Sequence, residues 1–146
     1  AAWRELLADV SALFVSEDEL QLAGALADPA AACRRLGSSR VERALRVCRM
    51  GERGGLARDE NSDTEWRWQP RAERVADVTG AGDAFAAGFL CGLLMGDALA
   101  GACRRGVVSA SFALEDSGPH GLVAATPERA TERLAAWSPA PEESTP

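Results

Sequence analysis

Asp83 stands directly behind the turn Thr79-Gly80-Ala81-Gly82 in the stretch VADVTGAGDAFAAGFLCGLLMG (75–96), and these five residues have types and spacing that can do chemistry. A strand that ends near Asp77 and passes through this turn into a helix leaves backbone N–H groups without carbonyl partners, so they can bind an anion. Glycine at 80 and 82 permits unusual dihedrals and close approach of a ligand to the backbone. The helix macrodipole adds about 0.3–1 kcal/mol for negative charge at such a place. Spacing alone leaves a second reading equally open, a tight turn with an acid favourable in the first helical turn. Asp83 separates the two. A carboxylate repels a bound phosphate, which suits a binding nest poorly and suits a base that must take a proton from a hydroxyl attacking that phosphate.

Such a base needs rigid support. The segment behind it carries Phe85, Phe89, Leu90, Leu93 and Leu94 with Ala84, Ala87 and Gly88 between them. It is apolar on most sides, which predicts a buried helix over about 81–95. Two more helices are expected, over about 97–115 and over 126–137, the latter with Thr126 as N-cap and Pro127 in its first turn. Upstream, ALFVS (12–16) reads as a buried strand that delivers a helix running from the acidic EDEL to about Asp28-Pro29. A helical segment over 30–39 and a buried strand over 43–51, stopped by Gly51, complete a strand, helix, strand rhythm. That rhythm marks a parallel α/β layer. GGLARD, EWRWQ and ERVADV, between Gly54 and Val78, read as strands, the first two as a hairpin. Trp66 and Trp68 stand two apart and share a face in such a strand. Packing suits them better than a stacking platform for bases, given the acidic chain.

The whole chain narrows the function classes. Its 146 residues carry a net charge of −6, which argues against a surface that neutralises nucleic acid or anionic lipid. All 16 basic residues are arginine, so a Walker A loop, which needs lysine, is excluded. The four cysteines form no C-x-x-C pair and the single histidine, His120, sits in an SGPHG loop, so neither a disulfide scaffold nor a zinc site is spelled. Cys91 and Cys103 read as packing residues, and Arg104-Arg105 as a solvated helix face. No targeting segment and no apolar run long enough for a bilayer is present in the sequence, and a cytoplasmic protein is expected. The chain opens without methionine and AWRELLADV reads as the end of a helix under way, so a fragment lacking its upstream part is expected. The Pro/Ser/Glu-rich tail, 139–146, reads as disordered.

At DVTGAGDAFAAGFL (77–90) the sequence resembles the C-terminal signature of the PfkB, or ribokinase-like, family of carbohydrate and nucleoside kinases. The resemblance implies a layered α/β/α sandwich, of which residues 1–138 would be the C-terminal portion. It implies Asp83 as the base, with the amides of Gly80, Ala81 and Gly82 as the anion hole and Thr79 beside the nucleotide. RVCRMGERGG (46–55) looks like the family's strand and glycine loop, with Gly51 and Gly54 approached by nucleotide. ADVSALFVSEDEL (8–20) looks like the strand that leads to its Asn-x-x-Glu element, whose glutamate, matched by Glu19, helps organise Mg2+. Ser16 stands where that family has asparagine, and Ser16 with Glu19 also spells a capping box. GVVSASFALEDSGPHGL (106–122) resembles the late helix and loop beside the adenine, with Gly118 lining the site. Asp77 is implied in a monovalent-cation site, for which K+ is the candidate.

The activity implied is transfer of the γ-phosphate of ATP, with Mg2+, to a hydroxyl of a small-molecule sugar or nucleoside. No nucleic-acid or membrane partner is expected, and a homodimer is compatible. The rival reading is a truncated or non-catalytic half that binds nucleotide. A dinucleotide fingerprint fails because its third glycine would fall at Phe85, and a serine hydrolase fails because no G-x-S-x-G is present.

Overall fold

The computed structural model describes residues 9–22, 28, 31 and 44–137. They fall into two compact units, one up to Gln69 and one from Pro70 onward. Most of the helices expected over 17–29 and 30–39, and the tail 139–146, lie outside the described residues.

The first unit is a four-stranded sheet. Strands β1 (Ala12–Ser16), β2 (Leu45–Arg49), β3 (Gly55–Asp59) and β4 (Thr64–Trp68) lie in the order β1-β2-β3-β4. β1 pairs parallel with β2, as the strand, helix, strand rhythm requires, and the other two pairs are antiparallel. β2 is buried from Leu45 to Cys48. β1, expected to be buried, is half-buried along its whole length because among the described residues no strand pairs with its other edge. Val15, Cys48 and Leu56 stand side by side across three strands, and Leu20 of helix α1 (Glu17–Leu22) closes over them. Burial pushes the Cys48 thiol up to about 11, which keeps it protonated and inert.

The expected hairpin is β3 with β4. Its turn is held by Asp59, whose Oδ1 accepts the amides of Asn61 (3.0 Å) and Ser62 (3.4 Å). Trp66 and Trp68 share one face, and Trp68 is buried with its ring over Gly55. A Cβ on Gly55 would lie 2.2 Å from that ring, so packing accounts for Trp68, while Trp66 is half-buried.

The second unit is helical: α2 (Ala81–Leu94), α3 (Leu99–Leu114), the short α4 (His120–Val123) and α5 (Pro127–Ala136). Among the described residues no helix is long and apolar enough to cross a membrane. Thr126 caps α5 as expected, its hydroxyl accepting the Arg129 amide at 3.3 Å. α2 and α3 touch through backbone. A Cβ on Gly88 would lie 2.6 Å from the Arg105 carbonyl oxygen, and one on Gly92 would lie 2.8 Å from the Ala102 Cα. From the other side, Gly106 leaves room for the Phe85 ring, which stacks on Phe89 at 6.1 Å. Cys103 is fully buried in α3, and burial raises its thiol strongly.

Four expectations need correction. ERVADV is not a strand: its backbone donors are spent on the end of α3, where the Leu114 carbonyl accepts the amides of Ala76 (2.7 Å) and Asp77 (3.3 Å). α2 is not buried on most sides. One face lies on α3 while Leu90 (41% exposed) and Leu94 (89% exposed) face outward, since among the described residues nothing packs on that side. Cys91 shares this outer face and is exposed rather than packed. Arg105, expected in a solvated face, is half-buried and pairs with Asp97 at 2.6 Å.

α5 is fastened to α3 by Arg133. Its guanidinium lies 4.0 Å from the Phe112 ring centre and donates to Ser111 Oγ and Glu115 Oε2, each at 2.6 Å. Burial raises the Glu115 carboxyl, but hydrogen bonds from Arg133 and the Glu73 amide outweigh it and hold the group below its ordinary range.

The α2–α3 contact makes a test. In an open helix, Gly→Ala stabilises by about 1 kcal/mol through propensity. At Gly88 the added carbon meets a backbone carbonyl, so Gly88→Ala is expected to destabilise by about 1–3 kcal/mol. Urea unfolding reads the sign, and a midpoint at or above wild type would overturn the packing argument.

Candidate functional site

α2 starts at Gly80, whose φ of +77° is the left-handed conformation that glycine adopts without strain. The first helical bond runs from the Ala84 amide to the Gly80 carbonyl at 2.9 Å. The amides of Gly82 and Asp83 are therefore left without an intrahelical acceptor. Ala81, expected to contribute its N–H to an anion hole, donates it to the Val78 carbonyl at 3.3 Å. Of the three amides expected to form the anion hole, Ala81 is thus spent within the turn, while Gly82 stays available and Asp83 joins it.

A cavity of about 430 Å³ opens at this helix start, in the size range of small-molecule sites. Thr79, Gly80 and Asp83 form one wall, and Gly118, Pro119 and Leu122 form another, with Ala84 and Ala87 between. Four residues singled out in the sequence, Thr79, Gly80, Asp83 and Gly118, are thereby brought to one place across some 40 residues of chain. The Asp83 side chain is exposed, and among the described residues it makes no hydrogen bond or ion pair. A carboxylate with unspent oxygens beside free helix-start amides can accept a proton next to a bound anion.

Asp77 does something different. Its Oδ1 accepts the Thr79 amide at 2.9 Å and its Oδ2 accepts the Gly118 amide at 3.0 Å. The Gly118 amide first, then the amide and hydroxyl of Thr79, hold its carboxyl down from the usual 3.8 to about 2. Asp77 is therefore ionised at neutral pH and already engaged on both oxygens.

Glu19, Gly51 and Gly54 belong to the first unit. Glu19 completes the capping box read from the sequence, with the Ser16 amide donating to Glu19 Oε2 at 2.6 Å and the Glu19 amide to Ser16 Oγ at 3.2 Å. Arg49 stands 4.0 Å from the same carboxylate. Gly51 is exposed at φ +56°, with open space where a side chain would go. Gly54 is buried, and a Cβ there would lie 1.9 Å from the Trp68 carbonyl oxygen, so packing alone demands glycine. Among the described residues no three His, Cys, Asp or Glu side chains converge as a metal cage.

Sequence reasoning missed Pro119 and Leu122, which supply the apolar side of the cavity, and Glu115, which accepts the Glu73 amide at 2.9 Å. The SGPHGL stretch carried a signal for the first two, since a glycine and a proline before a short apolar turn mark a shaped loop. Nothing in spacing points from Glu115 to Glu73.

A family model described as pfkB family carbohydrate kinase matches residues 1–125. Fructoselysine 6-kinase of Escherichia coli is 38% identical over 72 residues, which is 49% of this chain and 27% of that protein. A solved nucleoside kinase of Burkholderia thailandensis in complex with inosine is 27% identical, with a TM-score of 0.70, covering 91% of this chain and 42% of that one. A putative ribokinase II of Escherichia coli in complex with ATP and Mg2+ has a TM-score of 0.74 at 17% identity, covering 92% and 42%, a likeness of fold. The chain thus spans 42% of each of these two solved structures and 27% of the curated relative.

The amide-held Asp77 makes a pH prediction. A carboxylate whose pKa is depressed by folding adds stability above its unfolded value and loses it as pH falls through the folded one. The window here runs from 3.8 down to about 2. The thermal midpoint of wild type is expected to exceed that of Asp77→Asn above this window, with the gap closing as pH approaches 2. A gap that stays constant through the window would refute the assignment.

Proposed function

Because the chain belongs to the pfkB family of carbohydrate kinases and has its ribokinase-like α/β fold, we propose that the cavity beside Asp83 is where a sugar or nucleoside hydroxyl receives the γ-phosphoryl group of ATP. One observation carries this reading: an unpaired, exposed carboxylate lines a cavity together with the start of a helix whose first amides have no acceptor. The acceptor hydroxyl gives its proton to Asp83 as its oxygen bonds to the γ-phosphorus. The bond from that phosphorus to the bridging oxygen breaks, and ADP leaves with the electron pair. The amides of Gly82 and Asp83, at the positive end of the α2 dipole, take up negative charge on the transferring group. The signature at 77–90 supports placing the chain in the C-terminal part of such a kinase.

Mg2+ is commonly held by one or two carboxylates plus phosphate oxygens and water, so an ion that arrives with the nucleotide needs no cage of protein ligands. Glu19 is the carboxylate proposed for Mg2+, and Asp77 the one proposed for a monovalent cation such as K+. Bound Mg2+ supplies charge neutralisation at the phosphates. The other reading, nucleotide binding without turnover, is supported by the capping box of Ser16 and Glu19, which engages the carboxylate proposed for Mg2+ in a structural role.

The test is a phosphorylation assay with Mg-ATP and a panel of ketoses, ribose, sugar acids and nucleosides, run beside a measurement of ATP affinity. Asp83→Asn is expected to lower kcat by at least about 10²-fold with ATP affinity little changed. Near-wild-type turnover in that variant would sink the mechanism. ATP binding with no transfer to any acceptor would favour the second reading.

A further inference from the structure

Part of each cavity wall, Thr79-Gly80 on one side and Gly118-Pro119 on the other, is chain that no sheet or helix holds. Residues 70–80 form no regular structure before α2, and the Gly118 side lies in the loop between α3 and α4. Irregular segments keep a fixed separation only if their polar groups are tied to something rigid. Two carboxylates make those ties, each using both oxygens. Asp77 joins the Thr79 amide (2.9 Å) to the Gly118 amide (3.0 Å), so it bridges the two cavity walls directly. Glu115, which lines no part of the cavity, joins the Glu73 amide (2.9 Å) to the Arg133 guanidinium (2.6 Å). The Leu114 carbonyl adds the amides of Ala76 and Asp77. Glu115 thus fixes the start of the same irregular segment against α3, and Arg133 fixes Glu115 from α5.

We propose that Asp77 and Glu115 are positioning residues which together set the separation of the Thr79 and Gly118 walls, and so the placement of Asp83 against a ligand in the cavity. The inference rests on the kinase reading for the identity of that ligand and on hydrogen bonds alone for the clamp. Asp77 acts as the bolt across the walls. Glu115 acts at a distance, by holding the backbone from which Asp77 projects. Either oxygen of Glu115 replaced by an amide NH2 faces an N–H donor, so glutamine there keeps at most one of the two ties.

The experiment measures amide hydrogen exchange by NMR, and Mg-ATP affinity by calorimetry, on the full chain and three variants. Asp77→Asn and Glu115→Gln are expected to speed exchange at Thr79 and Gly118 at least about tenfold and to weaken Mg-ATP about tenfold. Ser111→Ala is the control: it removes the other hydrogen bond of Arg133 and no tie to the irregular segment. It is expected to lower the unfolding midpoint while leaving exchange at Thr79 and Gly118 near wild type. Unchanged exchange in both carboxylate variants, or equal acceleration in Ser111→Ala, overturns the clamp. If wild type fails to bind Mg-ATP, the kinase reading falls and the exchange rates still decide the clamp.

Discussion

The second unit depends on the contact of α2 with α3 through backbone. Gly88 and Gly92 remove side chains where the Arg105 carbonyl and the Ala102 Cα come closest, and Gly106 does the same beneath Phe85. Close approach of two helices buries the Phe85 and Phe89 rings between them and leaves α2 little freedom to slide or rotate. Everything at the start of α2 inherits that rigidity. Asp83 lies two residues before Phe85, so a wedge between the helices moves the carboxylate as well. Helices of bulkier residues would pack further apart, and the turn at Gly80 would lose its fixed reference.

Two carboxylates six residues apart illustrate how environment divides labour. Asp77 has both oxygens spent on amides and is held ionised far below neutral pH, which suits a structural tie. Asp83 has neither oxygen spent among the described residues and faces a cavity, which suits a group that must gain and lose a proton. Their chemical identity is the same. The difference lies in which backbone donors the surrounding loops aim at each of them.

The uncovered face of α2 belongs to the same account. Ala87, Leu90, Cys91 and Leu94 follow helical spacing and point away from α3, and Leu94 is 89% exposed. An apolar stripe of this kind is costly in water and ordinary in a larger fold. The chain spans 42% of each of the two solved kinases compared with it. The first unit carries its own core of Leu20, Cys48 and Leu56, with the Ser16–Glu19 box fixing the step from β1 into α1.

The sequence by itself determined the elements whose cause is local. The apolar run ALFVS, the stop at Gly51 after LRVCR, the Asp-Glu-Asn-Ser-Asp turn between β3 and β4, Thr126 before Pro127, and glycine at the left-handed position 80 each follow from short-range sterics and hydrogen bonding. The family signature then drew Thr79, Gly80 and Asp83 together because they are neighbours in the chain. What only the tertiary structure decided depends on partners far apart in sequence. ERVADV has the composition of a strand, yet its donors go to Leu114 and Glu115 because α3 ends beside it and no strand does. The apolar length of α2 predicts burial all round, yet burial follows from which surfaces are present, and α3 covers one face. Ala81 loses its donor to Val78 through the turn's curvature, and Glu115 meets Glu73 through the packing of α3 and α5. Local propensity writes the elements, while the sharing of backbone donors between distant segments is settled by which of them the packing places side by side.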